Sequence, residues 1–292
     1  MVRTHFDEHG GMEDPMQGKL TDIHTHLEQF TPEERELALR RAIEAGVQWI
    51  VTSGMDLQSS ESAVEIATLS EHIRASVGIH PWVAAEAALG KAAYNPAQFF
   101  SQEMLMLVRK DATLAIGEVG LDFVDNVLTG TTFHDNPDLR LAQEKVFHKW
   151  VELACGEKLP LIIHARGAYD SVISILREEG AHRVGGVIHN FDGDGKTAAQ
   201  LLDMGFFLSF GGAVTYREAH TLHERVRQIP LDGILIETDA PYMSLNGQAT
   251  EKNEPANVSR VAETVAGLKN LHVDELTSAT YINFKTLLNI RE

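Results

Sequence analysis

The feature that most constrains this chain is an alternation of two kinds of segment. Eight short runs rich in β-branched and other apolar residues occupy 20–27, 47–54, 73–80, 113–121, 160–166, 184–191, 205–212 and 234–242. Between them lie longer segments, such as 32–46, 59–72, 137–156 and 169–180, whose apolar residues recur at intervals of three and four. In 137–156 the buried stripe is read as Leu141, Val146, Trp150 and Leu153. Strands alternating with helices pair in parallel through right-handed crossovers. Eight near-continuous apolar strands, covered on both faces, close into an α/β fold of the (β/α)₈ TIM-barrel type. An open doubly wound sheet fits less well, because no G-x-G-x-x-G follows the first strand.

The 292 residues suffice for one such barrel, and no Pro/Gly/Ser-rich linker interrupts them, so 20–292 is read as a single domain. Residues 1–19 lack apolar periodicity and read as a flexible extension, with His5 and His9 as solvated side chains. They have no apolar core of the kind a secretory signal needs. One cysteine, Cys155, excludes an internal disulfide and fits a reducing, cytoplasmic setting, with the thiol packed rather than catalytic. No stretch is long and apolar enough for a membrane span, so no membrane partner is expected. Twenty-five basic against 42 acidic residues give a net charge of −17, which opposes tight passive binding of nucleic acid.

Strand ends on the C-terminal side of a barrel carry its chemistry. His24, His26, His80, Glu118, His164, Arg166, His189, Glu237 and Asp239 all fall at such ends. Each alone has a structural explanation; together they predict a metal site at the mouth. His24 and His26, two apart, point to one face of a strand. Asp22 is expected on that face one layer deeper, orienting an imidazole, and Glu237 stands in the same relation to Asp239. Imidazole with carboxylate suits Zn²⁺, Mn²⁺, Fe²⁺ or Ni²⁺ better than Ca²⁺. The donors exceed the needs of one tetrahedral ion.

The motifs D-I-H-T-H-L (22–27), G-I-H-P (78–81), G-E-V-G-L-D (117–122), H-A-R-G-A (164–168), H-N-F-D-G (189–193), E-T-D-A-P-Y (237–242) and N-E-P-A (253–256) follow in order. In these residues, with Asn283 in the last helical segment, the chain resembles the TatD-type metal-dependent hydrolases of the amidohydrolase-like group. The resemblance implies two divalent cations (zinc, manganese, magnesium or nickel). His24, His26 and Asp239 would hold one cation, His164 and His189 the other, and Glu118 would bridge them. It also implies His80 and Arg166 as substrate contacts and Asp239 as general base, with Glu118 the second catalytic carboxylate. The implied reaction is hydrolysis of DNA at strand ends, or of short oligonucleotides, by a metal-activated water, with no stable protein partner.

Trp82, Gly167 and Lys252 depart from the family pattern, as does a longer segment from Asp122 to Gln143 that carries His134, read as a solvated loop residue. These bear on substrate recognition. The alternatives are a metal-dependent amidohydrolase, lactonase or esterase acting on a small molecule, and a non-catalytic metal-binding protein. No G-x-S-x-G elbow supports a serine hydrolase, and 192–196 is not a phosphate loop. Gly211–Gly212 is expected to let the chain turn after the seventh strand.

Overall fold

The computed structural model describes residues 19–91, 95–125, 132, 136–245 and 252–290. The expected extension therefore lies outside the described residues apart from Lys19, and so do His5, His9 and His134.

The strands are β1 (Leu20–Thr25), β2 (Val47–Ser53), β3 (Ile73–Val77), β4 (Thr113–Asp122), β5 (Leu161–Arg166), β6 (Gly186–Ile188), β7 (Phe206–Phe210) and β8 (Ile234–Ile236). They form one parallel sheet in chain order. A parallel bridge between Thr25 and Ala240 brings the last edge to the first, with the His26 amide 2.7 Å from the Ala240 carbonyl oxygen. The barrel is closed, as the alternation predicts.

Around it run α1 (Pro32–Glu44), α2 (Leu57–Ala67), α3 (Pro81–Ala88), α4 (Gln102–Val108), α5 (Pro137–Glu157), α6 (Tyr169–Glu178), α7 (Gly195–Asp203), α8 (His220–Gln228), α9 (Val258–Lys269) and α10 (Val273–Leu287). Local chemistry starts several of them. Thr31 with Glu34, and Asp56 with Ser59, form capping boxes that satisfy the first free amides of α1 and α2. No described helix is long and apolar enough to cross a membrane.

One apolar cluster joins Ile23, Val51, Ala115, Ile162, Val187 and Leu235, from six different strands. Only the barrel interior permits that set. Phe284 and Leu287 of α10, with Leu288 just beyond it, complete this floor. Asn283 ties α10 to the barrel by donating to the carbonyls of Leu231 (3.0 Å) and Ile234 (2.8 Å).

The stripe on α5 differs from the expected one. Leu141 is 46 % exposed, while Leu139, Gln143, Phe147, Trp150, Val151 and Ala154 are buried. The polar Gln143 disguises this face: its side chain accepts from the Asp122 amide (2.8 Å) and donates to the Asp122 carbonyl (3.0 Å). Helix α5 thereby fixes the end of β4, beside which β5 passes closely. A Cβ on Gly120 would lie 2.0 Å from the His164 carbonyl oxygen, so only glycine fits there.

Candidate metal centre

Alternation along the strands lifts side chains from the floor to the mouth. Two residues above Val51, Ile162, Val187 and Leu235 stand Ser53, His164, His189 and Glu237. Strand β1 breaks the rule. A register shift between Asp22 and Thr25 leaves Ile23 in the interior cluster, while His24 and His26 both reach the centre. Asp22 is therefore not one layer beneath the histidines. Its carboxylate accepts from the Thr238 amide (2.9 Å) and hydroxyl (2.5 Å), tying β1 to the segment after β8, and it orients no imidazole.

Glu118 is the hub. Its Oε2 lies 3.4 Å from His24 Nε2 and 3.5 Å from His26 Nε2, and both nitrogens are within 3.7 Å of Asp239 Oδ1. Its Oε1 lies 2.7 Å from His164 Nδ1, 2.8 Å from His189 Nε2 and 3.4 Å from His80 Nε2. The carboxylate thus divides the ring nitrogens into two groups, one for each oxygen. Side chains of all four expected histidine ligands and both expected carboxylates meet here, and three sets of three donor atoms each lie within 4.8 Å of one another.

The outward ring nitrogens set what faces inward. His24 Nδ1 meets the Ser53 hydroxyl (3.1 Å) and His26 Nδ1 the Ser53 carbonyl (3.0 Å). His189 Nδ1 meets Glu237 (3.3 Å), and His164 Nε2 meets Asp122 (2.9 Å). A carbonyl or carboxylate partner takes an N–H there, so once a cation replaces the inward proton the rings of His26, His189 and His164 would present lone pairs to the centre. His80 is the reverse. Its Nδ1 accepts the Trp82 amide (3.1 Å), so the neutral ring carries its proton on the inward Nε2 and offers a donor, not a lone pair.

Burial depresses His80 to a pKa of about 4, leaving it neutral at physiological pH. Burial also disfavours charge on His26 and His189, yet Glu118, helped by Glu28 and Glu237 respectively, raises both well above the ordinary imidazole value. Glu118 is held well below the carboxylate range: burial opposes ionisation and the surrounding imidazoles, His189 first, outweigh it. Burial pushes the Asp239 carboxyl up, against the pull of His24 and His189. Asp239 is the more open of the two hub carboxylates, its side chain 12 % exposed against 3 % for Glu118. Its backbone sits in the left-handed region (φ 58°), a strained conformation for a non-glycine residue, and Asn190 donates to its Oδ2 (3.0 Å). Asn253 locks the segment behind it by donating to the carbonyls of Thr238 (2.8 Å) and Tyr242 (2.8 Å).

Beside the centre opens a cleft of about 170 Å³. His164, His189 and Asp239 form its inner wall, Phe191, Phe210, Leu222 and Met243 an apolar side, and Arg166 part of its lining. Arg166 is exposed and stands outside the buried cluster; among the described residues it makes no ion pair. The chain leaves β7 and turns at Gly211 and Gly212, as expected, though neither has positive φ. They are required by crowding: a Cβ on Gly211 would lie 2.6 Å from Asn190 Oδ1, and one on Gly212 would lie 2.0 Å from the Met243 carbonyl oxygen. Cys155 is half-buried on α5 with its sulfur near the carbonyls of Glu179 and Gly180, away from this chemistry. Lys252 pairs with Glu34 (2.7 Å) and covers the Phe30 ring.

Sequence reasoning named Glu237 as an orienting acceptor, and the structure places it on His189. It missed Ser53, Asn190 and Asp122. Asp122 was findable, being an even number of residues beyond Glu118 on the same strand; Ser53 carries no signal that separates it from any other strand-end serine.

The family model for TatD-related DNases matches residues 21–289. The chain is 36 % identical over 277 residues to YabD of Bacillus subtilis, an uncharacterised metal-dependent hydrolase, covering 93 % of this chain and 99 % of that protein. Identity to YcfH of Escherichia coli K12, also an uncharacterised metal-dependent hydrolase, is 30 % over 275 residues, covering 93 % and 96 %. The crystal structure of YjjV, a TatD homologue from Escherichia coli K12, superposes with a TM-score of 0.78 at 26 % identity, over 94 % of this chain and 99 % of that one. With the closed barrel and the histidine–carboxylate mouth, these matches show that the chain belongs to the TatD family of metal-dependent hydrolases.

Proposed function

We propose that the protein hydrolyses phosphodiester bonds, with DNA strand ends or short oligonucleotides as substrate, and that two divalent cations serve it. The observation that carries this reading is the division of Glu118 between two groups of donors, buried at the mouth beside a cleft that Arg166 lines. His24, His26 and Asp239 would hold one cation, His164 and His189 the other, and Glu118 both. The donor chemistry fits: inward lone pairs on oriented imidazoles, mixed with carboxylate oxygens, suit zinc, manganese or nickel. Bound cations supply Lewis acidity toward an oxygen of the scissile group and acidify water.

The chain's own residues do the rest. Asp239, open to the cleft, is placed to accept a proton as general base. His80 belongs with the substrate contacts, because its inward Nε2–H donates to an oxygen where charge builds. Arg166 offers a planar cationic fork to a phosphate. The net charge of −17 over the whole chain opposes an anion at long range, so binding at the mouth is weak and salt-sensitive.

The test is turnover of a model phosphodiester and a model lactone by chelator-stripped protein resupplied with Mg²⁺, Mn²⁺ or Zn²⁺. Arg166→Ala should raise KM and lower kcat on the diester. Turnover of the lactone alone, or a silent Arg166→Ala on the diester, would sink the phosphodiester reading in favour of a small-molecule hydrolase.

A further inference from the structure

His80 and His164 stand 3.3 Å apart at the nearest nitrogens and face the same oxygen of Glu118, yet they present opposite atoms to it. Trp82 touches the outward side of both. Its backbone N–H, in the first turn of α3, donates to His80 Nδ1 (3.1 Å). Its indole Nε1–H donates to Asp122 Oδ2 (2.9 Å), the same oxygen that accepts from His164 Nε2 (2.9 Å). The other oxygen of Asp122 accepts the Val124 amide (3.0 Å), and Gln143 clamps the Asp122 backbone on both sides.

We propose that Trp82 is a positioning residue that fixes the opposite tautomers of two neighbouring imidazoles, His80 as a donor and His164 as a cation ligand. The inference rests on the two-cation reading above. The main-chain amide leaves His80 no place for a proton on Nδ1, so the proton goes inward. The indole N–H occupies one lone pair of Asp122 Oδ2 and orients the carboxylate so that the remaining one meets His164 Nε2–H. That leaves His164 Nδ1, 2.7 Å from Glu118 Oε1, as the atom that would meet a cation. Without the indole donor the buried Asp122 carboxylate loses one of its fixed partners, and a His164 ring that flips would present an N–H to the cation. The ring edges confirm the proximity: the Trp82 centroid lies 4.9 Å from that of His80 and 6.3 Å from that of His164. A residue in this position thus separates the two halves of the centre, since nothing on the Glu118 Oε2 side depends on it.

Trp82→Phe tests this, because it removes the indole N–H and keeps an aromatic ring and the main-chain amide. Two readouts are used on the full chain. In the Zn²⁺-loaded protein, long-range ¹H–¹⁵N correlation of the imidazoles should show the N–H of both His80 and His164 on Nε2 in the wild type. In Trp82→Phe, His80 should be unchanged and His164 should become a tautomer mixture. In Mn²⁺ titration, the variant should bind one cation as the wild type does and the other about 10-fold more weakly, the lower end of what loss of an outer partner costs. Asp122→Asn should weaken the same cation at least as much. A wild-type His164 protonated on Nδ1 overturns the proposal, as does a Trp82→Phe protein with both affinities unchanged or both equally reduced. If the wild type takes up only one cation, the two-cation reading fails first and this proposal falls with it.

Discussion

The two ends of the barrel interior are built from the same strands and obey opposite rules. The floor, from Ile23, Val51, Ile162, Val187 and Leu235 to Phe284, is a contiguous set of buried apolar side chains that gains by burial. Two residues higher, the buried side chains are the imidazoles of His164 and His189, the carboxylate of Glu237 and the hydroxyl of Ser53. There each ionisable group is tolerable only because another faces it. The floor can therefore be altered without consulting the chemistry, whereas no group at the mouth can be altered alone.

Several substitutions should break or sharpen that contrast. The largest effect is expected for Glu118→Gln, which leaves the floor intact but gives the two donor groups no shared anion. Elemental analysis should find the cation content reduced from two equivalents to one or none, with far-UV circular dichroism unchanged; two retained equivalents would contradict the bridging role. Next comes Asp239→Asn, which keeps shape and removes the proposed base and one proposed anionic ligand. Turnover should fall by a factor on the order of 10²–10⁴, and a variant with nearly full kcat at saturating metal would remove Asp239 from the chemistry. On the other side of the contrast, Ile162→Ala should cost about 2–5 kcal/mol of stability. Its cation affinity should not change; a large drop in affinity would mean that floor and mouth are coupled.

The smallest effect is a dependence on pH. In the metal-free protein His26 and His189 have raised pKa values, so their contribution to stability is complete below about 6.5 and is lost as pH rises through the folded values. Glu118, lowered, contributes above the ordinary carboxylate value and is lost as pH falls through its folded one. The metal-free melting temperature should accordingly decline from neutral to alkaline pH. Cations that replace the imidazole protons should flatten that decline. A melting temperature that rises with alkalinity in the presence of chelator would reverse the assignment.

The barrel was legible because eight buried strands and the periodic helices between them leave a pattern no open sheet explains as well. The convergence at the mouth was legible for the same reason: alternation along β5 and β8 places His164 and Asp239 where strand ends must meet. What escaped depends on departures from regularity. A register shift in β1 cannot be seen in 22-DIHTHL-27, so Asp22 was assigned to the wrong face. On α5, Gln143 hides inside an apolar stripe because its partner is a backbone 21 residues earlier. Trp82 reads as a mere substitution until its two N–H groups are located. In each case the deciding contact is long-range.

The floor also has a place in time. Its last side chains, Phe284, Leu287 and Leu288, lie beyond the eighth strand and all of α9, some fifty residues after Ile236. At about 5–20 residues per second, a ribosome extrudes every strand several seconds before it delivers the plug. Through that interval Ile23, Val51, Ile162, Val187 and Leu235 lack the side chains that cover them in the finished fold. The apolar floor is thus the part of the barrel that is covered last in the order of synthesis.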